Sequence, residues 1–81
     1  MIKVLVADDE EIVRTSLVDM IPWQELGMVL VGSVRNGLEA LDVVSDDPPD
    51  IVITDIRMPM MDGLELIEKI KMLSPDTEII I

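Results

Sequence analysis

Residues Ile51-Val52-Ile53-Thr54-Asp55 constrain this chain more than any other stretch. Three β-branched apolar residues followed by Thr54 read as a short strand buried on both faces, the pattern of a parallel sheet. Asp55 ends the run. Burying a carboxylate without a partner is costly, so it belongs at the tip of the strand and not inside the sheet. Pro59 and Asp62-Gly63 then break the chain into a loop. Asp55 is therefore expected at the C-terminal edge of a strand, facing the crevice where open α/β sheets place ligands. A turn- or helix-capping Asp is the plainer reading of the same residue.

The rest of the chain alternates around this strand. Ile2 to Ala7 reads as a first strand, apolar except for Lys3. Asp8-Asp9-Glu10-Glu11 follows, and acids in a first helical turn meet the positive end of the helix dipole. Ile12, Val13, Leu17, Met20 and Ile21 recur at helical spacing, which predicts a helix from about Glu10 to Ile21. Pro22 ends it. Met28 to Val34 reads as a second strand with a weak point at Gly32. Asn36-Gly37 signals a turn, and Leu38, Leu41 and Val44, with Ala40, mark one face of a second helix. The loop Asp46-Asp47-Pro48-Pro49-Asp50 leads into the central strand. After Asp62-Gly63, the residues Leu64, Ile67, Ile70 and Leu73 line one face of a third helix, and Glu65 and Lys69 stand at i,i+4 on another. Ser74-Pro75-Asp76 stops that helix, and Glu78-Ile79-Ile80-Ile81 begins a fourth strand. The order β-α-β-α-β-α-β predicts an α/β fold: a parallel sheet with right-handed crossovers and helices on both faces.

Composition removes several kinds of chemistry. The chain has 81 residues, enough for one domain, and no cysteine or histidine. Disulfides, zinc–thiolate sites, thiol catalysis and the usual imidazole base are excluded. Seventeen acids oppose six bases, a net charge of −11. Such a surface repels nucleic acid and anionic membrane, so neither is an expected partner. No apolar run approaches a membrane span, and Met1-Ile2-Lys3-Val4 enters a strand directly, so no signal peptide is expected. Trp23 is the only aromatic residue. The core must be aliphatic, with Met filling gaps.

In a parallel sheet all strand C-termini share one edge. Asp8 and Asp9 end the first strand and Asp55 ends the third. If those strands are neighbours, the strand order is 2-1-3-4 and the three carboxylates converge. Converging carboxylates repel one another, and a hard divalent cation such as Mg²⁺ offsets the repulsion with oxygen ligands. Asp55 could then act as a carboxylate nucleophile toward phosphorus. The plainer reading of Asp8 and Asp9 alone is a pair of helix-N-terminal acids.

Val4-Leu5-Val6-Ala7-Asp8-Asp9-Glu10 and Asp55-Ile56-Arg57-Met58-Pro59-Met60-Met61-Asp62-Gly63 resemble the receiver domains of two-component response regulators. The resemblance covers all 81 residues. It implies a flavodoxin-like, doubly wound sheet. It implies that Asp55 accepts a phosphoryl group from a phosphohistidine on a sensor histidine kinase or phosphotransfer protein, in the cytoplasm, with weak self-dephosphorylating chemistry. It also implies a Mg²⁺ site in which Asp9, Asp55 and the Arg57 backbone carbonyl bind directly, while Asp8 acts mainly through water. Ile21-Pro22-Trp23 and Leu26-Gly27 further resemble receivers attached to AraC-type transcription regulators; a helix stop with one packed aromatic accounts for Pro22-Trp23 equally.

The resemblance stops after the fourth strand. Family receivers continue through a fourth helix, a fifth strand and a fifth helix. They place a Ser or Thr after the fourth strand and a Lys after the fifth; Lys3, Lys69 and Lys71 match neither place. Residues 1–81 are thus expected to form an incomplete receiver domain, with phosphoryl transfer slow for want of those two groups. The alternative is a non-catalytic truncated receiver that only folds and self-associates. The bare apolar edge Ile79-Ile80-Ile81 makes self-association expected. Two other readings fail at position 57. A haloacid-dehalogenase-type phosphatase wants an Asp there, and an EF-hand loop wants an oxygen donor, but the residue is Arg57.

Overall fold

Seven elements alternate along the chain in the computed structural model, which describes Met1–Ile81: β1 (Ile2–Ala7), α1 (Glu11–Met20), β2 (Met28–Val34), α2 (Gly37–Asp46), β3 (Ile51–Thr54), α3 (Gly63–Leu73) and β4 (Glu78–Ile80). The four strands form one sheet in the order β2-β1-β3-β4, and every neighbouring pair is parallel. This is the expected 2-1-3-4 arrangement. It follows from right-handed crossovers that carry β2 to one side of β1 and β3 to the other.

Alternation along β1 and β3 divides the core. Leu5, Ala7 and Val52 point to one face, where they pack with Ala40 and Val44 of α2, Leu66 and Ile70 of α3, and the loop residues Met58 and Met61. Full burial of a side chain such as Leu5, Leu66 or Ile70 contributes about 1.5–3 kcal/mol relative to exposure. Val6 and Ile53 line the opposite face beneath Val13 and Leu17 of α1. The weak point expected at Gly32 is a change of register. Val4 pairs with Leu30 but Leu5 pairs with Gly32, so one residue of β2 bulges out. A Cβ on Gly32 would stand 2.9 Å from the Leu5 side chain, so the smaller residue lets β2 close on the core.

Three expected helix faces are corrected. Helix α1 spans Glu11–Met20, one residue shorter at each end than the sequence reading, and buries no residue fully. Ile12 is 83% exposed and Met20 79%, so only Leu17, and to a lesser degree Val13, turns toward the sheet. On α2 the buried stripe is Gly37, Ala40 and Val44, with Leu38 outside it. On α3 the stripe is Gly63, Leu66 and Ile70, while Leu64 and Leu73 are 58% and 54% exposed. Several apolar stripes overlap on a helix as apolar as α3. The axis on which it lies against α2 and the sheet selects one of them.

The N-terminal edge of the sheet is closed by polar contacts. Lys3 Nζ donates to Asp47 at 2.7 Å, and its backbone N–H donates to the Asp50 carboxylate at 2.7 Å. The buried Thr77 hydroxyl donates to the Pro49 carbonyl at 2.7 Å and shares a 2.7 Å contact with Ser74. Trp23 serves the connection from α1 to β2: its indole N–H donates to the Val18 carbonyl at 3.0 Å, and its own carbonyl accepts from Met28 N–H at 2.8 Å.

Candidate functional site

The opposite, C-terminal edge carries the acids. Ala7 and Thr54 pair across β1 and β3, so Asp8 and Asp55 leave the sheet side by side. The Asp55 N–H donates to the Ala7 carbonyl at 3.1 Å, and the Asp8 N–H to the Val34 carbonyl at 3.0 Å. Sheet pairing thus continues one residue past each strand and fixes where both side chains begin. Carboxylate oxygens of Asp8, Asp9 and Asp55 lie within 4.8 Å of one another. Asp8 and Asp55 are half-buried and Asp9 is exposed. The three predicted acids therefore converge.

Local hydrogen bonds orient two of the three. Asp8 Oδ1 accepts from the Glu10 N–H at 2.9 Å, and Asp55 Oδ1 accepts from the Ile56 N–H at 2.8 Å. Each carboxylate keeps its other oxygen free of protein hydrogen bonds. All three offer hard, anionic oxygens, the donor type that suits Mg²⁺. Arg57, two residues past Asp55, is exposed in the following loop and forms no ion pair. Lys3 and Lys71 are held at the N-terminal edge by Asp47 and the Thr77 carbonyl. Neither is at the acidic site.

The loop from Ile56 to Asp62 is pressed between two helix starts. Asn36 and Asp62 cap α2 and α3, accepting from the N–H groups of Glu39 and Glu65 at 2.9 Å each. The glycine after each cap is buried. A Cβ on Gly37 would meet Met61, with its carbonyl oxygen at 2.5 Å. A Cβ on Gly63 would collide with the Asp55 carbonyl oxygen and lie 2.8 Å from Ile56 Cα. Met60 takes the left-handed conformation, φ +71°, at the turn of this loop. Met58 is buried beneath it, its sulfur 3.9 Å from the Thr54 hydroxyl. The sequence reading took Asn36-Gly37 and Asp62-Gly63 as turn and loop signals and missed the close approach to the Asp55 backbone. It also missed Arg14, whose Nη1 donates to the Asp8 carbonyl at 2.8 Å. Nothing in the spacing of Arg14 announces that contact.

A family profile described as the response regulator receiver domain matches residues 4–81. The chain belongs to the response regulator receiver family. This receiver is 46% identical over all 81 residues to an uncharacterized transcriptional regulatory protein, YesN, of Bacillus subtilis, and spans 22% of that protein. It superposes on the receiver domain of AraT, a response regulator from Geobacillus stearothermophilus, with a TM-score of 0.91 at 36% identity, covering 95% of this chain and 60% of that one. A two-component transcriptional regulator AraC from Clostridium phytofermentans gives 0.87 at 34% identity, covering 98% and 64%. The expected family, the doubly wound sheet and the likeness to AraC-type receivers are thus upheld. No helix is long and apolar enough to cross a membrane.

Proposed function

We propose that this receiver accepts a phosphoryl group on Asp55 from a phosphohistidine of a sensor histidine kinase or phosphotransfer protein, within the cytoplasm. The observation that carries this reading is the convergence of Asp8, Asp9 and Asp55 within 4.8 Å at the C-terminal edge of adjacent strands. An Asp55 oxygen attacks phosphorus, the P–N bond to the donor imidazole breaks, and that nitrogen leaves with the electron pair and takes a proton. The product is an acyl phosphate on Asp55. The Ile56 N–H holds Oδ1, so the carboxylate is presented in one orientation and Oδ2 is free to react. Asp9 and Asp55, with the Arg57 carbonyl, would hold Mg²⁺ directly, and Asp8 would act through water. The ion supplies charge to offset that on the transferring phosphoryl group.

Acetyl phosphate with Mg²⁺ tests the reading, using intact-mass measurement and peptide mapping. One phosphoryl group on Asp55, absent from Asp55→Asn and absent when Mg²⁺ is chelated, is the expected result. Uptake by Asp55→Asn overturns the site assignment, and uptake without Mg²⁺ overturns the metal's part.

A second property is supported by the sheet edge. Strand β4 is the outer strand beside β3, and Ile80 on it and Ile81 after it are exposed. Its unpaired backbone groups template another strand, so these 81 residues associate through β4 with a second copy.

A further inference from the structure

Of the three carboxylates at the site, Asp9 has the least support of its own. Asp8 and Asp55 each accept a backbone hydrogen bond, whereas Asp9 is exposed and neither its carboxylate nor its backbone is hydrogen-bonded. The direction of its side chain is set by the peptide planes on either side. The plane after Asp9 is held by the Glu10 N–H, which donates to Asp8 Oδ1 at 2.9 Å, and the plane before it by Arg14. The Arg14 guanidinium donates to the Asp8 carbonyl at 2.8 Å, which fixes the Asp8–Asp9 peptide. The Arg14 backbone N–H donates to the Glu10 carbonyl at 2.9 Å, the first bond of α1, which seats Arg14 one helical turn after Glu10 with its guanidinium in reach of the Asp8 carbonyl.

The choice of partner matters. Arg14 lies beside Asp8, Asp9, Glu10 and Glu11 in sequence, yet it forms no ion pair within 4.0 Å. Its fork is directed at a neutral carbonyl. A guanidinium in a chain of net charge −11 that bonds a backbone oxygen, half-buried, is acting through geometry more than through charge neutralisation. The geometry points to Arg14 as a positioning residue that aims the Asp9 carboxylate into the cation site by holding the Asp8–Asp9 peptide where β1 turns into α1.

This inference rests on the Mg²⁺ reading above, and it makes a prediction of opposite sign to simple electrostatics. Removing a positive charge near a cation site, by itself, tightens cation binding. Loosening the group that holds a ligand residue weakens it, commonly about 10–100-fold. Arg14→Met removes the clamp and the charge together, and α1 buries no residue fully, so the core is left in place. Arg14→Lys keeps the charge and one donor.

The test is Mg²⁺ titration calorimetry on wild type and both variants, with amide hydrogen exchange on the same samples. Arg14→Met is expected to bind Mg²⁺ about tenfold more weakly. The Glu10 amide, which donates to Asp8 Oδ1, is expected to lose about tenfold in protection while the Val6 and Val52 amides do not change. Arg14→Lys is expected to recover both. Mg²⁺ binding by Arg14→Met as tight as wild type or tighter overturns the inference, as does Arg14→Lys behaving like Arg14→Met. If wild type itself binds no Mg²⁺, the metal reading fails, and the Glu10 exchange rate alone decides whether Arg14 clamps the turn: an unchanged rate in Arg14→Met overturns it.

Discussion

Replacing Gly63 by Ala asks whether the start of α3 sets the position of the Asp55 backbone. Gly63 N–H donates to the Ile56 carbonyl at 2.6 Å, so the two segments are already in contact. An added Cβ would lie 2.8 Å from Ile56 Cα and 3.1 Å from the Asp55 carbonyl carbon, and closer still to its oxygen. Carbon atoms rest at about 3.5–4.0 Å, so one segment must retreat by roughly 1 Å. The obstructing atoms are backbone and cannot rotate aside. Overpacking of this kind costs about 1–3 kcal/mol, and the better helix propensity of Ala returns at most about 1 kcal/mol. With that return in full the net loss reaches ~2 kcal/mol, which lowers Tm by up to about 16 °C in a domain of this size. Gly27→Ala is the control. Gly27 has φ +72° with open space around it, so its cost is backbone strain alone, about 1 kcal/mol, far from the site. Thermal melts and amide chemical shifts report on both variants. Gly63→Ala should shift the Asp55 and Ile56 resonances, and Gly27→Ala should not. A Gly63→Ala protein with the wild-type Tm and unmoved Asp55 and Ile56 signals would refute the close-approach argument.

Leu66→Ala should cost about 2–5 kcal/mol in denaturant melts, because Leu66 is fully buried, whereas Leu64→Ala two residues away should stay within about 0.5 kcal/mol. The hydrogen bond to Asp47, reinforced by its charge and that of Asp50, raises the Lys3 amine above its ordinary 10.5. Because the folded pKa is raised, the pair's small stabilisation is complete below pH 10.5 and lost as pH climbs through the Lys3 value; the Tm difference between wild type and Lys3→Met should be flat at about pH 7–9 and shrink above that. Sedimentation at several concentrations should show association that tightens with salt, since salt screens the −11 charge, and that Ile80→Lys weakens; a constant 9.0 kDa species would refute pairing through β4.

Much of this receiver was legible in the sequence. Strand identity was carried by β-branched runs, and helix positions by 3.6-residue spacing between Pro and Gly stops. The alternation of the two implies a parallel sheet because a crossover through a helix returns the chain in the same direction. Asp8, Asp9 and Asp55 could be placed on one edge for the same reason, since each ends a strand of that sheet. These are local signals, and topology turns them into a site.

Other features were decided only by packing. Which stripe of α3 is buried depends on the line along which it meets α2 and the sheet, so Leu66 is enclosed while Leu64, equally apolar, faces out. Helix α1 is amphipathic in sequence, yet Ile12 and Met20 stand in the open because the helix meets the sheet chiefly through Leu17. Gly37 and Gly63 look like ordinary turn glycines until Met61 is laid against the first and the Asp55–Ile56 backbone against the second, and then each is a point where a side chain has no room. Arg14 is one charged residue among many on α1 until the turn before it brings the Asp8 carbonyl within 2.8 Å of its guanidinium. Each of these facts depends on an approach between segments distant in sequence or folded back on themselves. A periodicity records which residues share a face of one element, but it holds no information about the distance to the next.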